Sequence, residues 1–416
     1  MTNSTPQAAR SHSEPLLAAA SPLPEIFAKC LAFTRARELR AIGLYPYFMP
    51  IEESHDTYVV IEGEKKIMVG SNNYMGLTHD PRILEAARDA LDTFGSGNTG
   101  SRFLNGNLDL HDRLEEELAD FVGMEAALVF STGYQTNVGT LGALIGRSDT
   151  VYVDKLDHAS IQDGVRLGLG RVQRFNHGDY TSLHRMLQAD KPERGKLIAI
   201  DGVFSMEGDI ADLPALVALK REFGAALVVD DAHAVGVLGE TGAGTAEHWG
   251  LTDEVDLILG TFSKSFASIG GFCAGKADVI DYLRNHARAL MFSASMPPAS
   301  VATVLKALEI IRSEPERREQ LWANTYKMME GFKSIGFDIG PTETPIVPIL
   351  IGPMEKTLQF GRALFEAGVF ANPVVPPAVP EGQGRLRTSY MATHTDEELD
   401  FVLDQVHHVA KKLDIV

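Results

Sequence analysis

The chain has 416 residues, 44% of them hydrophobic and 23% charged, with a formal net charge of −18. That length implies two or three packed units rather than one simple core. The acidic balance excludes nucleic acid as the main partner, because a phosphate backbone needs a basic face.

Residues 1–24 are rich in Ser, Ala and Pro and lack a continuous apolar run. They read as a disordered arm and not as a signal peptide. No run of about 18 apolar residues occurs, so no transmembrane segment is expected. The two cysteines, Cys30 and Cys273, form no CxxC pair, which fits a reducing, cytoplasmic setting. Residues 25–43 have apolar positions at helical spacing. Residues 56–71 read as two short strands joined by a turn at Glu62–Glu64. Helices are expected over 81–95, closed by glycine, and over 111–123.

Short apolar strands then follow at 126–131, 149–154, 171–176, 196–202, 225–231, 256–262 and 270–275, most of them separated by helical stretches. Such strands with crossover helices predict an α/β fold, with a mainly parallel sheet covered on both faces. Helices dominate 276–333, and a smaller α+β domain is expected from about residue 300. The expected division is the arm (1–24), a helix and strand segment (25–75), a large domain that carries the site (76–300) and a small C-terminal domain (301–416). No internal repeat is present.

Ligands of open α/β sheets sit at the carboxyl ends of the strands. Asp230, Asp231 and His233 stand at one such end, in "VDDAH", and His158 follows another, in "DHAS". Ser205 and Asp209 follow a third, in "GVFSMEGD". Gly133 and Tyr134 open a helix in "FSTGY", where backbone N–H groups make an anion site. Thr261 and Ser263 flank Lys264 in "GTFSKSF" and could add hydroxyl donors for the same anion. Taken singly, each has a structural reading: Asp231 or His158 as a helix cap, Ser205 and Asp209 as turn residues.

Together they match one chemistry, that of pyridoxal phosphate. This cofactor needs a lysine for its imine, an acid to keep the pyridine nitrogen protonated, a helix N-terminus for its phosphate and a flat group against its ring. Lys264, Asp230, Gly133–Tyr134 with Thr261 and Ser263, and His158 fill these roles. No metal site is read from the sequence.

The chain resembles the fold-type I pyridoxal phosphate enzymes, and more narrowly the α-oxoamine synthases, over roughly residues 40–410. The resemblance rests on "SNNYMGL" (71–77), "GSGNTGSRFLNG" (95–106), "DHASIQDG" (157–164), "VDDAHAVGVLG" (229–239), "GTFSKS" (260–265) and "RLRTSYMATHT" (385–395). It implies a fold-type I aminotransferase-like seven-stranded sheet and a homodimer with shared active sites. It also implies a decarboxylative condensation of an amino acid with an acyl-CoA. By the same resemblance His233 hydrogen-bonds the ring phenolate, Ser205 lies near the ring, Arg387 holds the substrate carboxylate with help from Asn73, and Ser293 and Ala294 reach the phosphate of the neighbouring subunit.

Within the family, "GTFSKSFASIGGF", "YPYF" (45–48) and "NPVVPPAVP" (372–380) are most similar to members that join L-serine to a long-chain acyl-CoA. Val375 stands where some of those members carry arginine. Branches that use alanine with a pimeloyl thioester, or glycine, are the alternatives. A non-catalytic subunit is a remote one, since such a subunit is expected to lose the lysine. A long-chain product points to peripheral contact with a membrane, although no basic amphipathic helix is apparent.

Overall fold

The computed structural model describes residues 24–416. The arm expected over 1–24 therefore lies, but for Pro24, outside the described residues. The helix expected over 25–43 is instead three short pieces, Glu25–Phe27, Ala28–Ala32 and Arg35–Ala41. Phe33 breaks the run with an extended ψ of 95°. None of the three pieces buries a residue, and segments of so few residues have weak intrinsic helicity.

The expected hairpin forms from Tyr58–Ile61 and Glu64–Met68. Glu62 and Gly63 connect them at φ 55° and 71°, the double positive φ of a two-residue hairpin turn whose twist matches the strands. Val369–Phe370 adds to this hairpin in parallel, Val369 opposite Ile67.

All seven strands read from the sequence enter one sheet, in the order Ala126–Phe130, Gly271–Gly275, Leu257–Thr261, Ala226–Asp230, Gly195–Asp201, Asp149–Asp154 and Arg171–Phe175. Gly271–Gly275 runs antiparallel to both its neighbours, and the other six point the same way. Alternate residues of each strand feed opposite faces. Leu227 and Val229 join one core with Ile198, Ile200 and Ile258. Val228 joins another with Val151, Val153 and Leu259. Helices cover both faces, as near-continuous apolar strands require.

A smaller antiparallel sheet has Gly384–Ser389 at its centre, between Ile346–Gly352 and Asn372–Val374. Its core takes Val347, Ile349 and Leu386 together with Ile67 and Val69 beside the early hairpin. Among the described residues no helix is long and apolar enough to cross a membrane.

The six like-directed strands set their carboxyl ends, Phe130, Asp154, Phe175, Asp201, Asp230 and Thr261, along one edge of the large sheet. The antiparallel strand begins there, at Gly271 opposite Thr261. The predicted chemistry is gathered at that edge.

Candidate active site

A cavity of ≈ 230 Å³ opens at this edge and is lined by Gly133, Tyr134, His158, Ser205, Asp230, His233, Thr261, Ser263 and Lys264. Nine of the sequence-predicted residues thus converge on one space. Ser293, Ala294, Asn73 and Arg387 are not among its lining residues.

Lys264 sits in the turn after the strand Leu257–Thr261. Phe262 and Phe266 pin this turn: both are buried, and their rings meet edge-to-face at 5.5 Å. Phe262 N–H donates to Gly270 O at 2.9 Å and Ser268 N–H to Phe262 O at 2.9 Å, which closes the loop around the lysine. By surface area Lys264 is only half-buried, because it lines the cavity, yet the protein around its amine desolvates it. That burial brings its pKa down to about 7; Asp230 opposes the shift and Arg387 adds to it. A large share of the amine is therefore the free base near neutral pH.

Asp230 ends its strand and is 5% exposed. Its Oδ2 accepts from Asn137 Nδ2 at 2.6 Å, and its Oδ1 from Ala232 N–H at 3.0 Å. Asn137 also donates to Ser160 Oγ at 2.8 Å, and Ser160 Oγ lies 2.7 Å from His158 Nδ1. One amide thus ties the carboxylate to the imidazole. His158 is at once the N-cap of helix Ala159–Leu167 and a wall of the cavity, so its structural and functional readings hold together. Its backbone N–H donates to Asp201 Oδ2 at 2.7 Å. Burial lowers its pKa, with Asp230 opposing and Lys264 reinforcing.

His233 is driven well below its ordinary pKa, by burial first and then by Lys264, Arg387 and His158. It is a neutral imidazole whose Nδ1 lies 2.7 Å from Tyr74 Oη. Asp231 turns away from the cavity: its Oδ2 accepts from Thr245 N–H at 2.8 Å. Full burial raises its pKa to about 7.

The anion end of the cavity is the first turn of helix Gly133–Leu144, capped by Thr132, whose Oγ1 accepts from Gln135 N–H at 3.0 Å. Thr261 Oγ1 and Ser263 Oγ lie 3.0 Å apart beside it. A Cβ on Gly133 would come within 2.6 Å of Thr261 Oγ1, so only glycine lets the helix start approach the hydroxyls. These groups fit pyridoxal phosphate part by part: a helix N-terminus and two hydroxyls for the phosphate, Asp230 for the ring nitrogen, His158 as a flat wall, His233 as a polar neighbour and Lys264 as the amine.

Arg387, on the central strand of the smaller sheet, is 5% exposed and approaches from the other side. Its Nε donates to Ser205 O at 2.7 Å and one Nη to Asn72 Oδ1 at 2.9 Å. The asparagine that meets Arg387 is therefore Asn72; Asn73, expected to help position the substrate carboxylate, bonds within its own loop and reaches Asp56 Oδ1 at 3.4 Å. Asn73 Oδ1 accepts from Leu77 N–H at 3.0 Å and Nδ2 donates to Thr78 Oγ1 at 3.0 Å. Two adjacent asparagines differ only by which way the chain turns, and no periodicity resolves that. Tyr74 and Asn137 were also missed. Asn137 carried a usable signal, since it follows Gly133 by one helical turn and so shares its face.

The aminotransferase class I and II family matches residues 64–406 of the chain. The chain belongs to this family. It is 54% identical to a serine palmitoyltransferase of Sphingobacterium spiritivorum over 383 residues, 92% of this chain and 96% of that relative. It is 42% identical to an 8-amino-7-oxononanoate synthase of Geotalea daltonii, over 91% of this chain and 97% of that relative. Among solved structures, the serine palmitoyltransferase of Sphingomonas wittichii superimposes with a TM-score of 0.92 at 37% identity, covering 95% of this chain and all of that one. A further serine palmitoyltransferase structure, solved with its pyridoxal phosphate internal aldimine, has a TM-score of 0.92 at 36% identity over the same shares. The expected fold-type I architecture and the expected cofactor are thus those of this chain's relatives.

Proposed function

We propose that this chain is a pyridoxal phosphate-dependent acyltransferase that condenses L-serine with a long-chain acyl-CoA, giving a 3-ketosphinganine, free CoA and CO₂. The carrying observation is the desolvated Lys264 amine beside Asp230 and His158, in a chain that is 54% identical over nearly its whole length to a serine palmitoyltransferase.

Bound pyridoxal phosphate supplies an electron sink for the charge that develops at the amino acid's Cα. The side chains supply the rest. Gly133, Tyr134, Thr261 and Ser263 hold the phosphate. Asp230, fixed by Asn137, keeps the ring nitrogen protonated. His158, neutral and oriented by Ser160, packs flat against the ring, and Ser205 borders it. His233, oriented by Tyr74, donates to the ring oxygen. Arg387 pairs with the serine carboxylate, a geometry a guanidinium serves with two parallel hydrogen bonds. Lys264, with its amine free near neutral pH, takes the Cα proton and later returns one.

The working unit is a cytoplasmic homodimer, in which Ser293 and Ala294 of one subunit meet the phosphate held by the other. In its support, both residues are absent from the lining of this chain's own cavity and directly follow Phe292, which is 71% exposed. The smaller sheet belongs to a C-terminal domain beginning near residue 301, which brings Arg387 to the large domain.

The test is a product assay with serine, alanine and glycine against a ladder of acyl-CoAs. Serine with long chains is expected to turn over best. Turnover of alanine with a pimeloyl thioester, and none with serine, would make the chain an 8-amino-7-oxononanoate synthase instead.

A further inference from the structure

A second cavity, of ≈ 790 Å³, lies between the turn that follows His233 and the helix Pro315–Ile335. Its aromatic wall is Trp249, Trp322 and Tyr326, and it contains both tryptophans of the chain. Each indole is fastened by its edge. Trp249 Nε1–H donates to Ala211 O at 3.1 Å, and Trp322 Nε1–H to Val237 O at 3.1 Å. Trp322 and Tyr326 stand with ring centroids 5.4 Å apart and planes inclined by 33°. Trp249 stays 40% exposed and Tyr326 57%, although both are large aromatic groups in a chain with ample core to receive them.

The rim carries carboxylates. Glu247 is satisfied, accepting from Thr241 N–H, Thr241 Oγ1 and Ala243 N–H. Glu240 and Glu343 differ. Their hydrogen bonds are made by the backbone: Glu343 N–H donates to Gly208 O at 3.1 Å, and Glu240 O accepts from Arg318. Among the described residues neither carboxylate enters an ion pair. The nearby Arg318 guanidinium is directed at the carbonyls of Glu240 and Thr241.

Aromatic side chains beside acids that enter no ion pair favour one ligand class, with His248 set edge-to-face on Trp249 and the Arg318 guanidinium held by the carbonyls of Glu240 and Thr241. An anion would be repelled, and a neutral apolar molecule would gain nothing from the carboxylates. A metal ion would need converging ligands, and among the described residues no group of three or more His, Cys, Asp or Glu could hold one. A soft organic cation gains from both, through attraction to the ring faces and to the acids. We propose that this cavity is a binding site for an organic ammonium ion, quaternary or protonated, that carries small apolar substituents. The wall includes Ile210 and Val237, from the chain segments that follow Ser205 and His233 of the catalytic cavity.

Intrinsic fluorescence reads this site directly, because both tryptophans line it. The holoenzyme is titrated with choline chloride, with its neutral isostere 3,3-dimethylbutan-1-ol and with sodium chloride at equal ionic strength. Choline is expected to change tryptophan emission saturably, while the isostere and the salt do not. Glu343→Gln and Glu240→Gln are each expected to weaken the choline response roughly two- to five-fold, the scale of one exposed cation–aromatic or ion contact. Trp322→Phe is expected to remove most of the signal while calorimetry still detects binding. An equal response to choline and the isostere, no saturable response to choline, or an unaltered response in the double Glu→Gln variant overturns the proposal. None of these readouts depends on turnover, so the proposal stands or falls apart from the reaction assigned above.

Discussion

The hydroxyl of Tyr74 lies 2.7 Å from Nδ1 of His233, joining two buried residues 159 positions apart in sequence. Asn72 extends this contact: its Oδ1 accepts from Arg387 at 2.9 Å and lies 3.4 Å from the Tyr74 hydroxyl. A strand-end turn of the large sheet, the "SNNYMGL" loop and the central strand of the smaller sheet are thereby held as one constellation.

Tyr74→Phe removes the hydroxyl and leaves His233 Nδ1 without that partner. A buried hydrogen bond of this kind contributes about 1 kcal/mol, so kcat is expected to fall roughly five- to ten-fold with KM for serine little changed. Steady-state kinetics checks this, and an unaltered kcat would remove Tyr74 from the machinery.

Asn72→Ala and Asn73→Ala separate the two asparagines. Losing Asn72 frees the Arg387 guanidinium to swing, so KM for the amino acid is expected to rise several-fold. Losing Asn73 unties its own loop, so Tm is expected to drop while KM holds. The reverse pattern would restore Asn73 as the carboxylate-positioning residue.

Lys264→Ala is expected to reduce turnover by at least about 10³-fold, the scale of a lost nucleophile and base, with circular dichroism and Tm preserved. The same lysine predicts a pH profile. Its pKa is depressed to about 7, so the reactive free base accumulates as pH rises through 7. Uptake of pyridoxal phosphate by cofactor-stripped protein is expected to quicken from pH 6 to 8 and then level. A rate still climbing toward pH 10 would mean that the amine is not desolvated.

Gly133→Ala places a methyl group where Thr261 Oγ1 would be 2.6 Å away. The helix start or the hydroxyl must shift, and the phosphate cradle with it. Cofactor affinity is expected to weaken at least ten-fold by dialysis and absorbance titration, with substrate KM at saturating cofactor changed less.

His177 bridges two carboxylates, with Nδ1 3.2 Å from Asp154 Oδ2 and Nε2 3.0 Å from Asp209 Oδ2. Burial alone would depress it, but both hydrogen bonds and both charges outweigh that and raise its pKa to about 10. A raised folded-state pKa means a stabilisation fully present below pH 6.5 and lost as pH climbs through 10. Thermal unfolding is expected to show Tm falling more steeply between pH 7 and 10 in the wild type than in His177→Gln. Parallel profiles would refute the charged clamp.

Much was legible before folding. Most strands of the large sheet are short apolar runs, and strands covered on both faces leave such runs, whereas the edge strand Arg171–Phe175 keeps two arginines and a glutamine. The segment 25–43 is helical as its spacing implies, but in three pieces with a break at Phe33, since helical spacing does not state how far one helix runs. Ser293 and Ala294 sit by Gln135 and Ser131 of their own chain, Gln135 Nε2 donating to Ser293 Oγ at 3.1 Å and Ser131 Oγ to Ala294 O at 2.6 Å. That neighbourhood could not be read from spacing.

The sequence by itself determined which atoms are available for the chemistry. It carries one lysine among small residues at a strand end, an aspartate 34 residues before it, and a glycine that opens a helix. These are local signatures, because a strand end and a helix start are built from consecutive residues. Only the tertiary structure decided how those atoms behave. The Lys264 amine is brought to about 7 by burial under elements from across the chain. Asp230 is oriented by an amide 93 residues before it, and Arg387 is met by Asn72 rather than Asn73 across 315 residues. Burial and side-chain direction depend on what the rest of the chain places nearby, and that is a property of packing and not of spacing.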